Sequence, residues 1–146
     1  MSCPPEVLAL IARFHEQRED YQKPAYLETQ LRIEFIDPLL KILGWDVENK
    51  QGFAEAYKEV IHEYSLKTKD ATKAPDYCFR IGGTRKYFLE AKKPSENIKE
   101  DKKHAYQLRR YGWSADVPLS ILTSFQEWAV YDTLIKPKET DKASTA

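Results

Sequence analysis

The chain has 146 residues, 42% hydrophobic and 32% charged, with 23 basic and 23 acidic side chains and a formal net charge of zero. That is the size of one domain able to bury a core without disulfide or metal staples, and its neutrality argues against a histone-like binder of bulk nucleic acid. No apolar run nears the ~18 residues of a membrane span, no signal-peptide pattern opens the chain, and Cys3 and Cys78 make neither a CxxC pair nor a disulfide scaffold, so a reducing cytoplasm is expected.

Val7, Leu8, Leu10, Ile11 and Phe14 recur at helical spacing and predict a first helix from Pro5 to Asp20. Tyr21 to Ala25 reads as a polar connector. Leu27, Leu31 and Phe35 predict a second helical segment from Tyr26 to Leu43. Pro38 cannot sit in a smooth helix interior, so Asp37 is expected to cap a second short helix with Pro38 at its first position. Gly44 is a natural stop. Tyr57 to Leu66 alternates like a strand around Val60, His62 and Tyr64, and Lys67 to Ala74 is a polar loop. Asp76 to Ile81 and Lys86 to Ala91 are two strands joined across Gly82, Gly83 and Thr84, a hairpin signal. Lys93-Pro94-Ser95 breaks the second strand. Ser95 can cap a helix running to about Tyr111, which Gly112 ends. Pro118 to Thr123 reads as a buried strand and Trp128 to Thr133 as the last one. The polar tail from Lys136 to Ala146 is expected to fray. The order of elements predicts a mixed α/β domain with a central sheet.

Charge is unevenly spread. Residues 1–64 carry 12 acidic and 7 basic side chains, whereas residues 85–110 carry 9 basic and 4 acidic ones. The basic stretch, from Arg85 to Arg110 with Tyr87 and Tyr106 interleaved, is either a solvated helix face or a phosphate-binding surface. His15, His62 and His104 have no metal-ligand spacing. Trp45, Trp113 and Trp128 are expected to pack, and Cys78 to be a small buried hydrophobe. There is no G-x-S-x-G turn, no GxGxxG and no P-loop.

One constellation carries chemistry. Pro75-Asp76 is followed, across the hairpin, by Glu90-Ala91-Lys92. Glu90 and Lys92 are two apart and share a strand face. Two carboxylates converging on one point repel unless a cation lies between them, and oxygen ligands of this kind suit Mg²⁺. A lysine beside the cation can orient an attacking water and stabilise developing negative charge. These are parts for metal-assisted phosphodiester hydrolysis. Asp76 and Glu90 can share a face only in the right register. A two-residue Gly82-Gly83 turn would set them on opposite faces, so an odd loop across Gly82 to Thr84, or a bulge near Asp76, is expected.

Pro75-Asp76-Tyr77, Glu90-Ala91-Lys92-Lys93-Pro94-Ser95 and Gln107-Leu-Arg-Arg-Tyr111-Gly-Trp-Ser together resemble the PD-(D/E)xK nuclease superfamily. More narrowly they resemble the N-terminal nuclease domain of type I restriction motor subunits and of fused restriction–modification enzymes. Arg32 to Leu40, Leu43 to Val47, Pro118 to Thr123 and Trp128 to Asp132 extend the likeness over roughly residues 25 to 133. It implies a restriction-endonuclease-like mixed sheet flanked by helices, an αβββαβ core, with an extra N-terminal helix. Residues 25–135 would form the nuclease domain, 1–24 the helix and connector, and 136–146 the tail. It implies Asp76, Glu90, the Ala91 carbonyl and Glu34 as metal ligands, and Lys92 as the catalytic lysine. Gln107 and Tyr111, four apart on one helix face, would contact the DNA backbone or orient Lys92. The cofactor implied is Mg²⁺, with Mn²⁺ a substitute. The partners are DNA and motor, methyltransferase or target-recognition domains outside this chain, with a dimer for double-strand cleavage. The alternative is a non-catalytic nucleic-acid-binding or assembly module with the same fold.

Overall fold

A computed structural model describes residues 2–63 and 74–144. The expected loop from Lys67 to Ala74 and the strand residues Tyr64 to Leu66 fall outside the described residues, Ala74 excepted. The sheet has five strands in the order β1-β2-β3-β4-β5: Val60–His62, Tyr77–Ile81, Thr84–Ala91, Leu119–Thr123 and Trp128–Asp132. All neighbours are antiparallel except β3 and β4. That parallel pair needs a crossover, and α5 (Lys102–Ser114) supplies it. The expected αβββαβ order is present, and β5 extends it. Among the described residues no helix is long and apolar enough to cross a membrane.

Each sheet face has its own core. Tyr77, Phe79 and Leu89 pack with Leu31, Phe35, Ile36 and Leu40 of the N-terminal helices, and with Leu10 and Phe14. The alternate residues Cys78 and Phe88 pack with Leu122 and with Ala105, Leu108 and Tyr111 of α5. This is the period-two alternation of strands buried on both faces. The first helix is shorter than expected: α1 spans Pro5–Glu16 and a four-residue α2 spans Arg18–Tyr21. Of its apolar stripe only Leu10 and Phe14 are buried, and Leu8 and Ile11 stay about half exposed.

The second helical segment does not break at Pro38. It runs as α3 (Glu28–Leu31), a π-helical turn (Arg32–Ile36) and α4 (Asp37–Ile42). Pro38 has no N–H for the carbonyl four residues back. That carbonyl, of Glu34, accepts the Arg13 guanidinium instead. The wide turn makes the Asp37 amide donate to the Arg32 carbonyl, so Asp37 stacks above Arg32. The segment closes at Gly44, whose amide and that of Trp45 donate to Lys41 and Leu40 carbonyls.

The hairpin turn is the two-residue Gly82-Gly83, with Ile81 opposite Thr84. Both glycines have positive φ (58° and 81°), which side chains rarely adopt. The register then shifts: Arg80 faces Arg85, yet Phe79 faces Tyr87. Lys86 is the extra residue of a β-bulge. An odd loop across Gly82 to Thr84, or a bulge near Asp76, was expected; the loop is even, and a bulge supplies the extra residue. That bulge lies at the other end of the strand pair from Asp76, next to the turn, and restores the same parity.

Helix α5 starts at Lys102, not at Ser95. Asn97 accepts the Lys99 amide with its side chain and buries the adjacent Ile98, and this local turn outcompetes a helix. Asp101 caps α5 instead, accepting the Lys103 amide at 2.9 Å. Gly112 lies inside α5, where a Cβ would meet Ser120 and Thr133 at 2.6 Å. The tail does not fray through Ala143. Its carbonyls satisfy buried donors: Tyr131 donates to Ala143 at 2.6 Å and Arg109 to Lys142 at 3.2 Å. Trp45 packs against Phe79 and Tyr87 as expected, whereas Trp113 and Trp128 remain 39% and 43% exposed.

Candidate active site

The bulge brings Asp76 and Glu90 together at one end of the β2–β3 pair. The Asp76 amide donates to Glu90 Oε2 at 3.3 Å, and Asp76 Oδ2 accepts the Ala91 amide at 2.8 Å. In a strand the N–H and C=O of one residue leave by the same edge. The Ala91 carbonyl is therefore turned toward Asp76, while the Lys92 amide turns the other way and donates to Thr123. Lys92 Nζ lies 3.9 Å from Glu90 Oε1, on the same strand face. The two carboxylates and the lysine are 14–18% exposed, enclosed yet reachable.

The electrostatics follow from that enclosure. Burial, and then the Asp76 charge beside it, push the Glu90 carboxyl up to about 8, against the opposing pull of Lys92. Burial also raises Asp76, against the Ala91 amide, Arg32 and Lys92. Two acids that each resist ionisation, with a backbone carbonyl beside them, form an oxygen-only donor set. Among the described residues no group of three or more His, Cys, Asp or Glu side chains is arranged to hold a metal ion. A cation here would rest on two carboxylates, the Ala91 carbonyl and water, an all-oxygen set of the kind that suits Mg²⁺.

The helical layers close the site from both sides. From α5, Gln107 and Tyr111 do share a face, with the Gln107 amide 3.4 Å from the Tyr111 hydroxyl. They line a cavity of about 20 Å³ with Glu90, Lys92, His104, Leu108 and Ala74. That is room for about one water. From the other layer come two residues the sequence reading did not single out. Glu28 Oε1 stands 3.8 Å from Lys92 Nζ, and Arg32 Nη1 stands 3.5 Å from Asp76 Oδ1. They are four apart in the helical segment, hence on one face. Helical spacing from the acidic Glu28 to Arg32 was the available signal.

Glu34 is not brought to this cluster. Two residues beyond Arg32 it lies about half a turn around the helix, and its carboxylate accepts the Tyr26 hydroxyl at 2.5 Å. His62 bonds the Val47 carbonyl at 2.8 Å and packs on Tyr77. Cys78 is fully buried, and burial pushes its thiol up to about 11. Within the basic stretch Arg109 is buried over the Tyr131 ring, while Lys86, Lys99, Lys102, Lys103 and Arg110 are exposed.

Residues 55–139 match the family described as the type I restriction enzyme R protein N terminus. Over 139 residues the chain is 42% identical to the type II restriction enzyme and methyltransferase RM.Eco57I of Escherichia coli. That stretch is 94% of this chain and 14% of that protein. No solved structure matches the chain.

Proposed function

The chain belongs to the family of type I restriction enzyme R protein N termini, and on that premise we propose that it is a Mg²⁺-dependent DNA endonuclease domain of a restriction system. The observation that carries the reading is the convergence of Asp76, Glu90 and Lys92 at one end of the sheet. Asp76, Glu90 and the Ala91 carbonyl would hold the cation, and Mn²⁺ would serve in its place. When bound, the ion polarises a phosphate and lowers the pKa of water.

The protein's own groups do the rest. Lys92 presents its ammonium to the space beside Glu90, where it orients a water and offsets negative charge building on the phosphate. Gln107 and Tyr111 border the water-sized cavity that opens between Glu90 and Lys92. They either hold that water or bond the DNA backbone. The exposed lysines of α5 would meet neighbouring phosphates, contacts that position DNA without reading its sequence. Target recognition, and any motor or methyl-transfer activity, would belong to other domains of a larger enzyme. Two copies would be needed to cut both strands.

A plasmid assay separates this reading from a non-catalytic DNA-binding or assembly module. Nicking of supercoiled DNA that requires Mg²⁺ and stops with chelator is the expected result. Retarded but uncut DNA at every divalent-ion concentration contradicts it.

A further inference from the structure

Asp76 is held on every side that can hold it. Its amide donates to Glu90, its carbonyl accepts the Glu63 amide at 2.7 Å, and its Oδ2 accepts the Ala91 amide. The remaining oxygen, Oδ1, faces Arg32 Nη1 at 3.5 Å. That guanidinium is itself anchored. Its Nε lies 3.4 Å from the Tyr77 hydroxyl and its central carbon 5.0 Å from the Tyr77 ring centroid. The Tyr77 hydroxyl in turn donates to Asp37, the residue that the π-turn stacks above Arg32. In a regular α-helix position 36 would stand there, and Ile36 is a core residue. The π-turn thus lets one tyrosine engage two residues of the same helical segment. The result is an unbroken path, Asp37–Tyr77–Arg32–Asp76, that ends on the carboxylate.

We propose that Arg32 is a positioning residue: held by Tyr77, it fixes the plane of the Asp76 carboxylate so that its oxygens meet a divalent cation without rearrangement. The assignment rests on the metal-site reading given above. An arginine suits the task because its planar fork can bond the tyrosine through Nε and address the carboxylate through Nη1 at once. A lysine keeps the charge but cannot do both. Groups that orient a ligand in this way typically contribute 10–100-fold to metal affinity.

Positioning and simple charge predict opposite signs. A fixed positive charge beside the site repels a second cation, so removing it should tighten binding. Losing the orientation of Asp76 should weaken binding. The experiment is calorimetric titration of the full chain with Mn²⁺, alongside Arg32→Met, Arg32→Lys, Tyr77→Phe and Asp76→Asn. Arg32→Met should bind Mn²⁺ about 10–100-fold more weakly. Arg32→Lys should not recover the loss, and Tyr77→Phe should fall between the wild type and Arg32→Met. On plasmid DNA the same variants should lose kcat with little change in KM. Should Arg32→Met not fold, Arg32→Lys decides alone. Unchanged or tighter Mn²⁺ binding in Arg32→Met, or full recovery in Arg32→Lys, overturns the assignment. If the wild-type chain takes up no Mn²⁺, or Asp76→Asn binds it equally well, the metal-site reading itself fails and the Arg32 assignment falls with it.

Discussion

The Asp76 amide donates to the Glu90 carboxylate at 3.3 Å because β3 carries one extra residue, Lys86, within the stretch it pairs with β2. The Gly82-Gly83 turn alone would leave these residues on opposite faces. The bulge at Lys86 shifts the remaining pairs by one, and the side chains at the far end of the strand pair come back into phase. A local irregularity beside the hairpin turn thereby decides whether the distant end carries a site.

Metal-free protein should lose stability as pH rises. Glu90 is held at about 8, above its ordinary 4.5, and Asp76 shifts in the same direction. The folded chain therefore keeps protons that the unfolded chain gives up. The contribution is complete below about pH 4.5 and is lost as pH climbs through 8. Urea unfolding in chelator should show this decline, and Glu90→Gln should flatten most of it. A rise over the same window would contradict the burial assigned to Glu90.

The hairpin, the two closing strands and the Asp76–Glu90–Lys92 set were legible because each leaves a sequence mark: paired glycines, short apolar runs and a Pro-Asp/Glu-x-Lys spacing. The π-turn leaves almost none. Pro38 signals an interruption, but not that Arg13 will satisfy the Glu34 carbonyl and let the helix continue. Ser95 and Asp101 are both acceptable caps, and burial of Ile98 chose between them. The tail looked too polar to dock. Its backbone carbonyls, not its side chains, satisfy Tyr131 and Arg109. Glu28 and Arg32 stand four apart on one helix face, but that spacing is common among helix-surface charges and points to no site until the sheet register is known.

Gly112→Ala should destabilise the domain by about 1–3 kcal/mol, the usual cost of overpacking. The added methyl would lie 2.6 Å from Ser120 and from the Thr133 side chain. The helix-propensity gain of about 1 kcal/mol is too small to reverse this. Thermal unfolding of the variant checks it, and an unchanged or higher Tm would mean that α5 can move off β4.

Thiol labelling should see one cysteine, not two. Cys3 is exposed, whereas Cys78 is buried with its thiol pushed up to about 11. At pH 8 a disulfide reagent should modify one thiol per native chain and two after unfolding. Rapid modification of both in native protein would show that the β2 face opens.

DNA binding by this chain should be weak and indifferent to sequence. The exposed basic groups on and around α5 suit phosphate contact. Affinity should fall steeply with salt, since each neutralised phosphate releases counterions. Retardation of several unrelated duplexes at rising salt tests this. Tight binding to one sequence that persists at ~0.3 M salt would reveal a recognition element within the chain.

On the reading proposed above, Asp76, Glu90 and Lys92 act as one hydrolytic centre. The initial rate of supercoiled-plasmid nicking in Mg²⁺ by the wild type, Asp76→Asn, Glu90→Gln and Lys92→Ala, each first shown to be folded by circular dichroism, decides this. The wild type should nick and every variant should lose at least about 100-fold, in keeping with the 10²–10³-fold cost of removing one stabilising group from an active site. Wild-type rates in any one of the three would contradict it.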